Sequence, residues 1–146
     1  MIDRSFIGHE LGSHTVKIEM GRLKFFNKVI GQTNPIFFDE EAAELANYTN
    51  CPVCPSYYFS LDLEQENSFG WLEMLGIDVS KILHGMQDFT YHKPAYANQT
   101  VTLTAKITDI YDKKAGTLEF VEKEVVVIDE AGNLLATQKI TIVVLN

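Results

Sequence analysis

The sequence predicts an α+β fold in which helices come first and an antiparallel sheet follows. In the first half, Leu23, Phe26 and Ile30 recur at helical spacing. From His84 onward, apolar and polar residues alternate as they do in strands with one buried face. The chain has one such change of pattern and no internal repeat, which indicates a single domain over residues 1–146.

The first half predicts one strand and two helices with recognisable ends. SHTVKIEM, from Ser13 to Met20, predicts a short first strand. The helix through Leu23 should end at Gly31, because glycine readily adopts the conformation that ends helices. Asp39 should cap a second helix, EEAAELA, whose first glutamates lie at the positive end of the helix dipole.

A central helix is predicted between Pro55 and Glu64. Pro55 suits the first turn of a helix, where the missing N–H has no partner to lose. Tyr58 and Leu61 then give this helix an apolar side. The apolar residues around Trp71 predict a short further helix.

The second half predicts a sheet. Val101 to Ile107 alternates with threonine and lysine, which indicates a strand with one buried face. Leu134 to Leu145 ends in ITIVVL, which is apolar on both faces and belongs inside a sheet. Two more strands are predicted at Gln87–Tyr91 and Leu118–Asp129. We expect an antiparallel meander wrapped round the central helix, in a dimer, because one helix does not cover such a sheet.

Charge and hydropathy restrict the partners. The net charge of −8 disfavours nucleic acid and anionic membranes as general partners. No apolar tract reaches the ~18 residues that a membrane-spanning helix needs. The first residues lack the continuous apolar core of a secretory signal, so we expect the protein in the cytoplasm.

Cys51 and Cys54 are the only cysteines and form a C-x-x-C pair. Such a pair serves redox chemistry or half of a zinc site, but zinc takes four ligands. The nearest histidines, His84 and His92, have a spacing typical of no zinc motif. We therefore interpret the pair as two packed free thiols, and the sequence implies no metal and no organic cofactor.

Three segments carry a resemblance to a known family. FIGHELG at residues 6–12, GQTNPIFFDEEAA at 31–43 and HGMQDFTYHKPAYANQTVT at 84–102 resemble the MaoC-like dehydratase family. The chain is most similar to the N-terminal-type domains and the non-catalytic accessory subunits of (3R)-hydroxyacyl-thioester dehydratases. The resemblance implies a hot-dog fold, in which an antiparallel sheet wraps round a central helix within a dimer.

The middle segment resembles the catalytic loop of the family, which reads Gly-Asp-x-Asn-Pro-aliphatic-His. The resemblance places the catalytic aspartate at Gln32 and the catalytic histidine at Phe37, while Asn34 and Pro35 are retained. Gln32 has no proton to exchange near neutral pH, and the Phe37 ring neither donates nor accepts one. A positioned acid or base contributes about 10²- to 10⁴-fold in rate, so we expect no catalytic residue in this loop.

The start of the central helix also departs from the family. In catalytic members, the resemblance implies, backbone N–H groups near a glycine face the thioester carbonyl. The aligned stretch here is CPVCPS, in which Pro52 and Pro55 have no N–H to donate. The resemblance therefore predicts an impaired oxyanion site.

The first interpretation is a non-catalytic subunit that pairs with a catalytic hot-dog chain in a dehydratase or enoyl hydratase. The partner supplies the acid and base, and this chain shapes the pocket for an acyl-CoA or acyl-ACP thioester. Candidate substrate-binding residues are Asn34, Phe37, Tyr57 and Tyr58. Tyr57, Tyr58 and Phe59 are expected to cluster beside Phe37, either as core or as the wall of an acyl tunnel.

Two alternatives remain. The chain is a homodimeric module that binds an acyl thioester or lipid, or a thioesterase that uses a helix carboxylate, Asp62 or Glu64. Against the thioesterase, Asp62, Glu64 and Glu66 are equally explained as a solvated face. Among other possible bases, we interpret His84 as structural and expect His92 to face water.

Overall fold

The computed structural model describes residues 1–146. Its α-helices are α1 (Met20–Val29), α2 (Glu40–Leu45), α3 (Tyr57–Asp62) and α4 (Gly70–Met74). Its strands are β1 (Glu10–Lys17), β2 (Ile82–Tyr91), β3 (Thr100–Lys113), β4 (Leu118–Asp129) and β5 (Leu134–Leu145). The α+β class is confirmed, and the bounds of β4 and β5 are those that the alternation and the turns predict.

The five strands form one antiparallel sheet in the order β1-β3-β4-β5-β2. The predicted meander holds for β3, β4 and β5 but is wrong for β2, which pairs with β5. The chain after β2 is drawn away from it, because Val53 N–H donates to Ala95 O and Ala97 N–H donates to Cys51 O. This detour lets β2 cover the far side of β5, whose two apolar faces favour an interior position.

Helix α3 packs on the sheet, where Leu61 is fully buried. Gln138 Nε2 on β5 donates to Tyr58 O at 2.8 Å, and Lys123 Nζ on β4 donates to Asp62 Oδ2 at 2.7 Å. The predicted central helix was too long at both ends, since α3 spans only Tyr57–Asp62 and Pro55 precedes its N-cap, Ser56. The side chain of Gln65 donates to Asp62 O at 2.9 Å and satisfies a carbonyl at the helix end.

The two edges of the sheet differ in their side chains. Strand β1 has no exposed large apolar residue, and its register shifts between Glu10 and Gly12. Strand β2 exposes Leu83, Met86 and Tyr91, whose exposed fractions are 55%, 56% and 48%. None of the helices has the length and apolarity needed to cross a bilayer.

The cysteines and histidines have no arrangement that indicates a shared site. Cys51 and Cys54 are free thiols in the core, as the packing interpretation predicts, and burial raises the pKa of Cys51. His92 is exposed, as expected. His84 lies on β2 with its ring centroid 5.1 Å from that of Phe59.

Candidate functional site

The loop between α1 and α2 is held in shape by its own side chains. Gln32 Oε1 accepts hydrogen bonds from Thr33 N–H at 3.0 Å and Asn34 N–H at 3.1 Å. Asn34 Oδ1 accepts from Ile36 N–H at 3.2 Å and caps a 3₁₀ turn over Pro35–Phe37. The amide oxygens of this loop therefore stabilise its backbone, and the NH₂ group of Asn34 has no partner within the chain.

Asn27 on α1 attaches the loop to the helix and was not identified from the sequence. Its side chain is fully buried, and its Nδ2 donates to Phe37 O at 3.1 Å. The backbone carbonyl of Asn27 accepts from Gln32 N–H at 2.9 Å. The sequence could have identified Asn27 by its position one helical turn after the core residue Leu23. A polar side chain on that buried face of the helix requires a buried hydrogen-bond partner.

The aromatic residues of α3 point in different directions. The ring centroid of Tyr57 lies 5.1 Å from that of Phe26 on α1. The ring of Tyr58 pairs with Tyr91 on β2 at 5.9 Å, and Phe59 packs on His84. Because successive helical residues project about 100° apart, the three rings do not form the single cluster beside Phe37 that the sequence predicted.

An apolar groove lies between α1 and α3, directly before the loop. We call it the α1–α3 groove, and its volume is about 310 Å³. Phe25 and Val29 on α1 line it with exposed fractions of 70% and 66%, and Tyr57 lines its α3 side. The Arg22–Glu64 ion pair, with its Nη1–Oε2 distance of 2.8 Å, closes one wall.

Both tyrosines at the start of α3 have raised pKa values. Burial, followed by the negative charge of the neighbouring Glu64, raises the pKa of Tyr57 to about 12. Burial raises the pKa of Tyr58 to about 12, although a hydrogen bond with the backbone of Ala95 acts to lower it. Tyr58 lines a separate cleft beside Pro55 and His92, so the two hydroxyls do not share one cavity.

A second cavity lies between α3, α4 and the sheet. We call it the α3–α4 cavity, and its volume is about 230 Å³. Its apolar walls include Phe59, Leu63, Phe69, Leu72, Ile82 and Ile140. The polar residues Asp62, Ser68, His84 and Lys123 also line it, as does Trp71. Trp71 and Lys123 line a neighbouring cavity as well.

The carboxylate of Asp62 is buried, so the expected solvated face is wrong for this residue. The side chains of Asp62 and Lys123 are 2% and 4% exposed, and they form an ion pair at 2.7 Å. Lys123 Nζ lies 5.1 Å from the centroid of the Trp71 ring. The sequence could have indicated this pair, because Lys123 lies on the buried face of its strand between Val121 and Val125. A lysine in that position requires an acidic partner.

The other acidic residues named from the sequence are exposed, paired in a surface ion pair or used as a helix cap. Glu64 is half-buried and paired with Arg22, whereas Glu66 is exposed as predicted. Both carboxylates named for a thioesterase, Asp62 and Glu64, are therefore bound in ion pairs. Asp39 caps α2 as predicted, since its Oδ1 accepts from Ala42 N–H at 2.8 Å.

The segment before α3 offers few backbone donors. Pro52 and Pro55 have none. The N–H of Cys51 donates to Asn50 Oδ1 at 2.6 Å, and that of Val53 donates to Ala95 O at 2.8 Å. Within residues 51–55 only the Cys54 N–H is left without a partner in the chain.

The sheet wrapped round α3, with the loop before α2, defines a hot-dog fold of the MaoC-like dehydratase type. Its backbone superposes on the HadBC (3R-hydroxyacyl-ACP dehydratase) complex from Mycobacterium tuberculosis with a TM-score of 0.80. That match covers 94% of this chain and 96% of the other at 19% identity. The ChsH1–ChsH2 complex from the same organism matches with a TM-score of 0.71 at 14% identity, over 96% and 98% of the two chains.

The sequence itself gives the family. The family model described as "FAS1-like, dehydratase domain region" matches residues 5–138, so this chain belongs to that family. A UPF0336 protein from Streptomyces avermitilis is 31% identical over 138 residues, which are 93% of this chain and 90% of the relative. The resemblance to the dehydratase family is thereby confirmed.

Removal of one member of the buried ion pair should destabilise the protein strongly. We expect Lys123→Met to lower the free energy of unfolding by about 3–5 kcal/mol, because Asp62 is left as a buried unpaired charge. Asp62→Leu combined with Lys123→Met should recover most of this loss, because no charge then remains buried. Chemical denaturation of the two variants measures both effects.

The matched control is Lys106→Met, which removes an exposed lysine from its ion pair with Glu124. It should change the free energy of unfolding by less than ~1 kcal/mol. Equal losses in Lys106→Met and Lys123→Met would contradict the burial of the Asp62–Lys123 pair.

Stability should fall between pH 10 and pH 12 through the tyrosines of α3. Tyr57 ionises near its ordinary pKa of 10 in the unfolded chain but at about 12 in the folded one. Its contribution to stability is complete below pH 10 and is lost as pH rises through 12, because the unfolded state releases its proton first. Tyr57→Phe should remove roughly half of the alkaline loss that Tyr57 and Tyr58 produce together. Chemical denaturation of the unmodified protein and of Tyr57→Phe from pH 10 to pH 12 tests this prediction. If the free energies of unfolding of the two proteins fall in parallel with pH, Tyr57 does not contribute to the loss.

Proposed function

We propose that this chain is the non-catalytic accessory subunit of a (3R)-hydroxyacyl-thioester dehydratase or enoyl hydratase. The observation that carries the proposal is the loop: Asn27, Gln32 and Asn34 hold it in shape, yet no side chain from Gly31 to Phe38 titrates near neutral pH. A partner subunit of hot-dog fold supplies the acid and base in the cytoplasm. Such pairing is supported by HadBC and ChsH1–ChsH2, which are both described as complexes.

The α1–α3 groove is the proposed wall for an acyl-CoA or acyl-ACP thioester. Its apolar residues include Val29, which ends α1 immediately before the loop in sequence, and burial of an acyl chain against Phe25 and Val29 removes apolar surface from water. Phe37 fills the position of the family's histidine, and the free NH₂ group of Asn34 donates to the ligand. Tyr57 contributes to the groove, whereas Tyr58 supports α3 from the other side.

Strand β2 is the proposed contact with the partner. Its outer edge has unpaired backbone groups, and the exposed side chains beside them are apolar. Such an edge readily accepts a further strand. Strand β1 is the weaker candidate, because it exposes no large apolar side chain, whereas the register of both edge strands shifts once.

Mild affinity purification from the native host tests the partnership. We expect a stoichiometric second hot-dog chain that carries the Gly-Asp-x-Asn-Pro-x-His loop. Hydration of 2-enoyl thioesters should require both chains, with this chain inactive alone. Recovery of a homodimer that retains a bound acyl ligand would instead support the homodimeric binding module.

Met86→Lys should reduce recovery of the partner at least about tenfold, because a charge in the buried contact lacks a counter-ion. The matched control is Ser13→Lys, an exposed position on the opposite edge of the sheet, which should leave recovery unchanged. Equal losses in both variants, or loss only in Ser13→Lys, would show that β2 is not the contact.

Restoration of the loop residues should give only weak activity. Gln32→Asp with Phe37→His returns the acid and base, but Pro52 and Pro55 remove two backbone donors from the segment before α3, and the loss of one oxyanion donor costs about 10²–10³ in rate. We expect hydratase activity at least about 10²-fold below that of the two-chain enzyme. Gln32→Asn with Phe37→Leu is the matched control and should be inactive. Full activity in the Asp/His variant would refute the impaired oxyanion site.

A further inference from the structure

We propose that the α3–α4 cavity binds a small aliphatic molecule that ends in a hydroxyl or primary amide. The polar end lies against Asp62 and Lys123, and the alkyl part lies against the apolar walls. The inference does not rest on the proposed function, because the cavity belongs to this chain alone and contains no residue of the loop.

The first observation is an acceptor without a donor. Asp62 lines the cavity, and its Oδ1 is buried with no hydrogen-bond partner, while Oδ2 accepts from Lys123. A buried carboxylate oxygen that gives up water and gains no donor carries a desolvation cost. A ligand hydroxyl or amide N–H at this position removes that cost.

The second observation is that the ammonium group of Lys123 donates only one hydrogen bond within the chain. A lysine ammonium has three N–H groups, and Asp62 Oδ2 is the only hydrogen-bond acceptor that Lys123 has in the chain. The face of the Trp71 ring lies on one side of the ammonium, at 5.1 Å from Nζ to the ring centroid. The remaining N–H capacity is available to an oxygen in the cavity.

Together these groups select for a neutral polar end that both donates and accepts. A hydroxyl donates to Asp62 Oδ1 and accepts from Lys123 Nζ, and a primary amide does so with its N–H and its carbonyl. A carboxylate meets the charge of Asp62, and an ammonium meets that of Lys123. The ion pair is neutral overall, so neither kind of charged ligand gains a net counter-charge.

The size and walls of the cavity define the rest of the ligand. A volume of about 230 Å³ is smaller than the ~300–1,000 Å³ of sites for drug-sized ligands. At ~30 Å³ for each water-sized group, it accommodates on the order of eight non-hydrogen atoms. The walls contributed by Phe59, Phe69 and Ile140 are apolar, which fits an unbranched alkyl chain of that length.

Trp71 provides the measurement, because it is the only tryptophan and lines the cavity. Its fluorescence is followed during titration of the purified chain with n-hexanol and with methyl pentyl ether. These two compounds are isomers, but only the alcohol can donate to Asp62 Oδ1. We expect n-hexanol to bind about tenfold more tightly, as for a hydrogen bond to a charged group.

The variant test removes the polar end of the cavity while avoiding an unpaired charge. Asp62→Leu with Lys123→Met should abolish the preference for the alcohol and leave the two isomers nearly equal. The matched control, Lys106→Met with Glu124→Leu, removes an exposed ion pair and should keep the preference. Circular dichroism confirms that each variant is folded.

The comparison in the unmodified protein decides the proposal even if the double variant does not fold. Equal affinity of the unmodified protein for the two isomers, or no fluorescence change with either, would overturn it and leave the ion pair with a purely structural role. A folded Asp62→Leu, Lys123→Met protein that retains the preference would overturn it too.

Discussion

The position of α3 depends on two buried polar contacts that lie one helical turn apart. Tyr58 O accepts from Gln138 on β5, and Asp62 accepts from Lys123 on β4. The first contact uses a backbone carbonyl and the second a side chain one turn later, so together they hold α3 against the sheet at two points. Tyr57 is thereby turned towards α1 and Phe59 towards β2, and the groove and the cavity lie on different sides of one six-residue helix.

The loop before α2 keeps its shape without a charge because its hydrogen bonds require only an oxygen. Gln32 Oε1 accepts from two backbone N–H groups, which a carboxylate oxygen also does. Glutamine therefore preserves the turn without a negative charge.

Local features of the sequence were sufficient for the antiparallel strands β3 to β5 and for the cap of α2, but not for the site or for the pairing of β2. Strands β4 and β5 are predictable because their alternation and their turns lie within the segment itself. Asp62 was misjudged because its acidic neighbours indicate a solvated face, whereas its partner, Lys123, lies 61 residues away. The pairing of β2 with β5 likewise depends on contacts of the intervening chain with residues 51–53, which no local pattern encodes.

The difference between the two sheet edges bears on whether subunits that pair edge to edge form a closed pair or an open-ended fibre. An edge that combines unpaired backbone groups with apolar side chains gains hydrogen bonds and apolar burial together when a strand is added. Strand β2 has both properties, whereas β1 has no exposed large apolar residue. A sheet with only one such edge has no second edge from which to continue, so the proposed pairing through β2 would produce a closed pair of subunits and oppose open-ended fibres.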